Sequence, residues 1–312
     1  MAGAMLRKLA YNSARLSHHR APKQRRKAPL KTPKRLLPLV EEGLVDEVMR
    51  QLMSGKEAVV YVVRCGEEIR CAKVYKEANK RSFRQAVQYT EGRKVKNSRR
   101  ARAMEKGSRY GRQEQEEAWQ HAEVDALHRL AAAGVRVPKP YNFLEGVLLM
   151  ELVTDANGHA APRLNDLELT EEQAHQYHHM LIMQVVRMLC AGLVHGDLSE
   201  YNVLVGSDGP VIIDLPQAVD AAGNNSAAGM LLRDVDNLAA WFGRFAPELR
   251  TTDYGREIWS IYESGKLHPE IALTGCFEQS EQPADVEGVI REIGEVIKEE
   301  AARQRYKQAL EQ

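Results

Sequence analysis

Apolar and polar positions along this chain alternate between strand-like and helix-like patterns. Two β-rich runs, Met53 to Arg64 and Ile69 to Tyr75, flank Cys65-Gly-Glu-Glu and predict a hairpin. Phe143-Leu-Glu-Gly followed by Val147 to Val153 predicts a second strand pair. From Leu193 to Leu215 two apolar runs flank Gly206-Ser-Asp-Gly209, a third hairpin signal. Helical spacing fills the stretches between. Leu44, Val45, Val48 and Leu52 predict a short helix within 36–52. Between about Glu114 and Ala132, Trp119, Glu123 and Leu127 share one face, with Ala118, Ala122, Ala126 and Leu130 as the adjacent stripe. Glu123 therefore points inward. Thr170-Glu-Glu-Gln173 is a capping box that opens a long helix ending near Ala191. Residues 229–249 repeat the pattern through Leu231, Val235, Leu238, Trp241, Phe242 and Phe245. Val286, Val289, Ile290, Ile293, Val296 and Ile297 predict a last amphipathic helix. The elements define an α+β protein.

Composition narrows this picture only in places. The 312 residues suffice for one large domain or two lobes. Net charge is +1, so bulk charge implies no nucleic-acid partner, but its distribution is uneven. Residues 1–40 hold eleven Lys or Arg and no acid, and residues 80–112 hold twelve against Glu91 and Glu105. Residues 1–35 read as a flexible basic arm. No apolar run approaches the roughly 18 residues of a membrane span, and the start has no secretory apolar stretch. Cys65, Cys71, Cys190 and Cys276 lack metal-ligand spacing. They read as reduced, buried thiols of a cytoplasmic protein.

Chemistry concentrates around the third hairpin. Asp197 precedes it, Asn202 opens its first run and Asp214 closes its second. Oxygen ligands converging there suit a hard cation such as Mg²⁺ beside a phosphate. Lys73 lies in an apolar strand, where a charge needs a partner, and the inward Glu123 supplies one. Ser54-Gly55-Lys56 offers backbone N–H groups, a hydroxyl and a cation to phosphates, although with one Gly it is a weak signal. The backbone of Glu151 and Val153, with Met150 behind, is placed to face an adenine. Asp234, beside the apolar face of its helix, is expected to brace the loop at Asp197 from beneath. His175, His178 and His179 have no carboxylate or cysteine cluster to make them metal ligands.

Lys73, Glu123, Asp197, Asn202 and Asp214, in that order, resemble the RIO family of atypical protein kinases. The matching stretches are Ser54-Gly-Lys-Glu-Ala, Cys71-Ala-Lys-Val-Tyr, His195-Gly-Asp-Leu-Ser-Glu-Tyr-Asn, Ile212-Ile-Asp-Leu-Pro-Gln and Leu232-Arg-Asp-Val-Asp-Asn. The chain looks like bacterial members of the branch without a winged helix. The resemblance implies a truncated bilobal kinase fold, with residues 36–153 as a β-rich lobe and 154–312 as a mainly helical lobe. It also implies ATP with Mg²⁺, or Mn²⁺ in its place. Lys73, held by Glu123, then contacts the phosphates, Ser54 and Lys56 line them, and Ser199 lies near the γ-phosphate. Asn202 and Asp214 hold the metal. Asp197 accepts the hydroxyl proton, or carries the phosphoryl group if the protein acts as an ATPase. Leu215-Pro216-Gln217 stands where other kinases have Phe-Gly, and Val59 stands where small polar residues are common in the family. The expected activity is serine/threonine phosphorylation, including autophosphorylation at Ser98 or Ser108. The alternatives are an ATP-driven switch on ribosomal particles and, less favoured, a small-molecule phosphotransferase. The basic insertion 77–113 is expected to be flexible. Its 80–112 stretch is a candidate surface for RNA or ribosome contact.

Overall fold

The computed structural model describes residues 32–55, 57–76 and 109–278, with side chains from 117 in the last range. Lys56, Ser98, Ser108, most of the 1–35 arm and of the 77–113 insertion, and the amphipathic pattern 286–297 lie outside the described residues.

The chain divides into two compact units, one formed by residues up to Pro162 together with Leu204–Ala218, the other by Arg163–Val203 with Val219 onward. The first unit is built on a five-stranded sheet with the order β1-β2-β3-β5-β4. Its strands are β1 (Glu47–Ser54), β2 (Ala58–Cys65), β3 (Glu68–Tyr75), β4 (Pro140–Leu144) and β5 (Val147–Glu151), and every neighbouring pair is antiparallel. A short helix, α1 (Leu37–Glu41), covers one face. There Leu36, Leu39, Val45, Val48, Val63, Ala72, Val74, Val147 and Leu149 form a buried cluster. Strand side chains alternate between faces. With Ala72 and Val74 turned toward α1, Lys73 and Tyr75 must take the opposite face. That face carries α2 (Arg109–Ala132), whose buried positions include Gln120, Glu123, Val124, Ala126, Leu127 and Leu130. Ala118, expected in the inward stripe, is exposed. The helix also begins within the last residues assigned to the basic insertion. The β4–β5 turn uses Glu145 and Gly146, both at positive φ (46° and 73°). That is the turn geometry that matches the twist of paired strands.

The helix expected within 36–52 stops early. Gly43 takes φ 69°, and from Glu47 the chain is strand β1. Irregularities between Val48 and Arg50 and between Gln51 and Met53 interrupt its pairing with β2. These breaks upset the period of two and leave apolar residues at spacings that imitate a helix.

In the second unit the expected capping box is present. Thr170 Oγ1 accepts from Gln173 N at 3.2 Å, and Gln173 Oε1 accepts from Thr170 N at 3.0 Å. It opens α3 (Glu171–Cys190), which packs on α4 (Ala227–Phe242) and α5 (Tyr254–Glu263). Strands β6 (Leu193–Val194) and β9 (Val219–Asp220) pair at the end of this bundle. The third hairpin, β7 (Val203–Gly206) and β8 (Gly209–Ile212), falls almost entirely in the first unit. The four cysteines are free thiols, and Cys71 is buried as expected, but Cys190 and Cys276 are exposed. Cys190 is the last residue of α3, and Cys276 lies in the irregular segment after α5, so neither faces a core. Among the described residues no helix is long and apolar enough to cross a membrane.

His178 sits in the α3–α4–α5 core, 2% exposed, with ring centroids 5.6 Å from Phe242 and 5.7 Å from Tyr254. Burial, with His175 and His179 nearby, pulls its pKa down to about 4. An unfolded chain protonates this ring near pH 6.5, so the stability gained from keeping it neutral is complete above that pH and drains away as pH falls toward 4. Between about pH 7.5 and about pH 5, thermal unfolding should report a loss of about 2 kcal/mol from this residue. His178→Phe should flatten that part of the pH profile. An equal acid sensitivity in the variant would contradict the assignment.

Candidate active site

Within the first unit the structure brings Lys73, Glu123 and Asp214 together. Lys73 Nζ donates to Glu123 Oε1 at 2.5 Å and to Asp214 Oδ1 at 3.2 Å. The Lys73 side chain is 12% exposed and that of Glu123 4%, whereas that of Asp214 is 44% exposed. Burial alone would lower the lysine pKa, but the two carboxylates outweigh it and hold the ammonium above its ordinary value. The lysine is therefore a fixed cation whose charge is shared between a buried acid and an exposed one.

Asp214 reaches this place because the hairpin belongs to the same unit. Val205 N donates to Pro162 O, Ser207 N to Thr154 O and Ile212 N to Arg136 O, each at 2.9 Å. Beyond β8 the chain turns sharply, with Asp214 at φ 66°. Asp is among the few residues that adopt this region readily.

Ser54 ends β1 and is exposed. Lys76 Nζ lies 3.4 Å from Ser54 Oγ and also donates to the Gly55 carbonyl. Gly55 N donates to Ala58 O at 2.9 Å, and Lys76 N to Glu57 O at 2.8 Å. The loop is thus stitched by a lysine the sequence did not single out. Val59, half-buried, pairs with Ser54 and Val74. At the other end of the sheet, Met150 pairs with Cys71 and Pro140. The Glu151 carboxylate binds Arg136 through two nitrogens at 2.7 and 2.9 Å and accepts from Lys139 N at 3.0 Å. Burial raises the Glu151 pKa, but Arg136 and the Lys139 N–H bring it below its ordinary value. Glu151 N donates to Lys139 O, and the carbonyl of the buried Val153 accepts from Ala161 N.

The second unit holds Asp197, Ser199 and Asn202. Asp197 is exposed. Asn202, buried and at the end of a 3-10 turn (Glu200–Asn202), donates through Nδ2 to the Asp197 carbonyl at 2.8 Å. Ser199, half-buried, stands at the start of that turn, and its backbone carbonyl accepts from Asn202 N. Asp234 braces the segment as its position on α4 predicted. Its Oδ2 accepts from Gly196 N at 2.7 Å and its Oδ1 from Leu198 N at 2.9 Å. Arg233 Nη2 donates to Gly196 O and Asn237 Nδ2 to Leu198 O. The amide hydrogens and carbonyls on both sides of Asp197 are therefore fixed by one helix. Burial raises the Asp234 pKa, with His195, the two N–H donors and Arg233 opposing it. His195 is buried, and its Nδ1 accepts from Asp197 N at 3.3 Å. Arg233 and Asn237 lie in the Leu232-Arg-Asp-Val-Asp-Asn stretch, and their spacing of four puts them on one helix face, but the sequence alone assigns them no role.

A buried lysine paired with a helix glutamate in the first unit, and a braced Asp-x-x-x-x-Asn loop in the second, are each features of kinase-like phosphotransferases. A family model described as RIO domain matches residues 59–254, and the chain belongs to the RIO domain family. A relative from Haloferax volcanii named RIO-type serine/threonine-protein kinase Rio1 is 36% identical over 208 residues, covering 66% of this chain and 67% of its own. One of the same name from Methanocaldococcus jannaschii is 33% identical, covering 68% of this chain and 70% of its own. The Schizosaccharomyces pombe serine/threonine-protein kinase rio1 is 31% identical over 67% of this chain, which spans only 41% of that relative. The kinase-like fold of the family accounts for the mixed sheet and helices.

Two buried backbone donors depend on Asp234. Asp234→Ala should cost roughly 2–4 kcal/mol in denaturant unfolding. Asp234→Asn, which keeps one acceptor, should cost about half as much. A loss below about 1 kcal/mol for the alanine variant would show that the loop is held otherwise.

Proposed function

We propose that this chain is a RIO-type serine/threonine protein kinase that transfers the γ-phosphoryl group of ATP to protein hydroxyls. The observation that carries the proposal is the Lys73 ammonium, fixed between Glu123 and Asp214. In this reading Lys73 meets the phosphates and Ser54 lines them, with Lys56 beside it in sequence. The adenine faces the Glu151 carbonyl and the Val153 N–H, with Met150 behind, because the Glu151 N–H and the Val153 carbonyl already have partners. Ser199 takes the γ-phosphate side of the loop.

The donor chemistry fits Mg²⁺. Asn202 spends its Nδ2 on the Asp197 carbonyl, which leaves Oδ1 as its hard ligand atom. Asp214 adds an exposed carboxylate. Bound Mg²⁺ would offset negative charge on the phosphate oxygens. Asp197, exposed and fixed by its backbone, accepts the proton of the attacking serine or threonine hydroxyl. The hydroxyl oxygen bonds to the γ-phosphorus as the bond to the β-bridging oxygen breaks, and ADP leaves. The wider reading includes autophosphorylation at Ser98 or Ser108, a basic 80–112 surface for RNA, and a cytoplasmic setting. The free thiols and the twelve basic side chains of 80–112 support its last two parts.

Asp197→Asn should keep Mg·ATP affinity within about twofold while phosphoryl transfer to protein falls by roughly 10²–10⁴. Calorimetric titration and a labelled-phosphate assay separate the two quantities. Unchanged transfer in this variant would remove Asp197 from the mechanism.

A further inference from the structure

Glu123 has one donor for each carboxylate oxygen. Lys73 occupies Oε1, and the Tyr75 hydroxyl donates to Oε2 at 2.7 Å. Tyr75 is 1% exposed and shares the sheet face of Lys73, two residues away on β3. Its ring lies beneath the ammonium, with Nζ 5.4 Å from the centroid, within cation–π range. The ring is held edge-on by Trp119 at 5.8 Å and Phe143 at 6.3 Å. One rigid side chain therefore touches both members of the ion pair.

We infer that Tyr75 is a positioning residue that keeps Glu123 engaged with Lys73, and so keeps Lys73 from drifting onto Asp214. The inference rests on the kinase reading above. Lys73 already reaches two carboxylates, one buried and one exposed. Its division between them depends on how firmly Glu123 is held. Without the tyrosine hydroxyl, Oε2 becomes a buried acceptor lacking its donor, and the carboxylate gains by turning away from its place. Lys73 then spends more of its charge on Asp214, the carboxylate proposed for the metal. Looser phosphate binding and a higher Mg²⁺ requirement follow together.

Tyr75→Phe removes the hydroxyl and keeps the ring among Trp119 and Phe143. The KM for ATP and the calorimetric Kd for Mg·ATP should both rise roughly tenfold, the scale of one hydrogen bond to a charged group. The Mg²⁺ concentration for half-maximal binding and turnover should rise several-fold, while kcat changes by less than about threefold. In a Glu123→Gln background the same substitution should add less than about twofold, because tyrosine acts through that carboxylate. A purely structural tyrosine would not shift the Mg²⁺ midpoint. Unchanged KM, Kd and Mg²⁺ midpoint in Tyr75→Phe, with an active wild type, would overturn this inference alone. So would an undiminished effect in the Glu123→Gln background. A wild-type chain that neither binds nor turns over Mg·ATP would overturn the kinase reading and this inference with it.

Discussion

A lysine ammonium placed on the covered face of a sheet needs opposite charge, because burying it unpaired costs several kcal/mol. Much of the first unit is arranged around that need at Lys73. Alternation along β3 sends Ala72 and Val74 into the core beneath α1 and leaves Lys73 and Tyr75 to face α2. The helix answers with Glu123, and the hairpin answers with Asp214. Because Glu123 is buried and Asp214 is exposed, the two partners are not equivalent. The first fixes the lysine from within the core, and the second meets it from the solvent side.

The second unit solves a parallel problem with backbone groups. The segment on either side of Asp197 cannot pair as helix or strand, yet Gly196 and Leu198 are buried. Helix α4 supplies an acceptor for both N–H groups from Asp234 and a donor for each carbonyl from Arg233 and Asn237. Satisfying those groups leaves Asp197 exposed on a fixed backbone. Asn202 adds a tie to the Asp197 carbonyl. In both units a polar group useful for chemistry is held by neighbours that first satisfy burial.

How legible this was depended on the kind of signal. Lys73, Glu123 and the brace from Asp234 followed from parity and helical spacing, which sequence displays directly. The hairpins at 65–68, 145–146 and 206–209 followed from turn residues between apolar runs. Strand β1 was hidden because its bulges broke the alternation by which a strand is recognised. Tyr75 was visible as a same-face neighbour of Lys73, but its hydroxyl's choice of Glu123 depends on the distance between β3 and α2. Lys76, Arg233 and Asn237 bind backbone carbonyls, and a sequence does not show where carbonyls point. The same holds for Asp214, whose left-handed turn appears only once the hairpin is seated.

In the proposed function the fixed lysine and the braced aspartate serve phosphoryl transfer from ATP to protein. The most direct measurement incubates the full chain with Mg²⁺ and γ-labelled ATP and follows label on protein, in free phosphate and on small acceptors. Label should appear on serine or threonine of protein, dependent on Mg²⁺. Label that appears only as free phosphate or on a small acceptor, or no consumption of ATP at all, would contradict it.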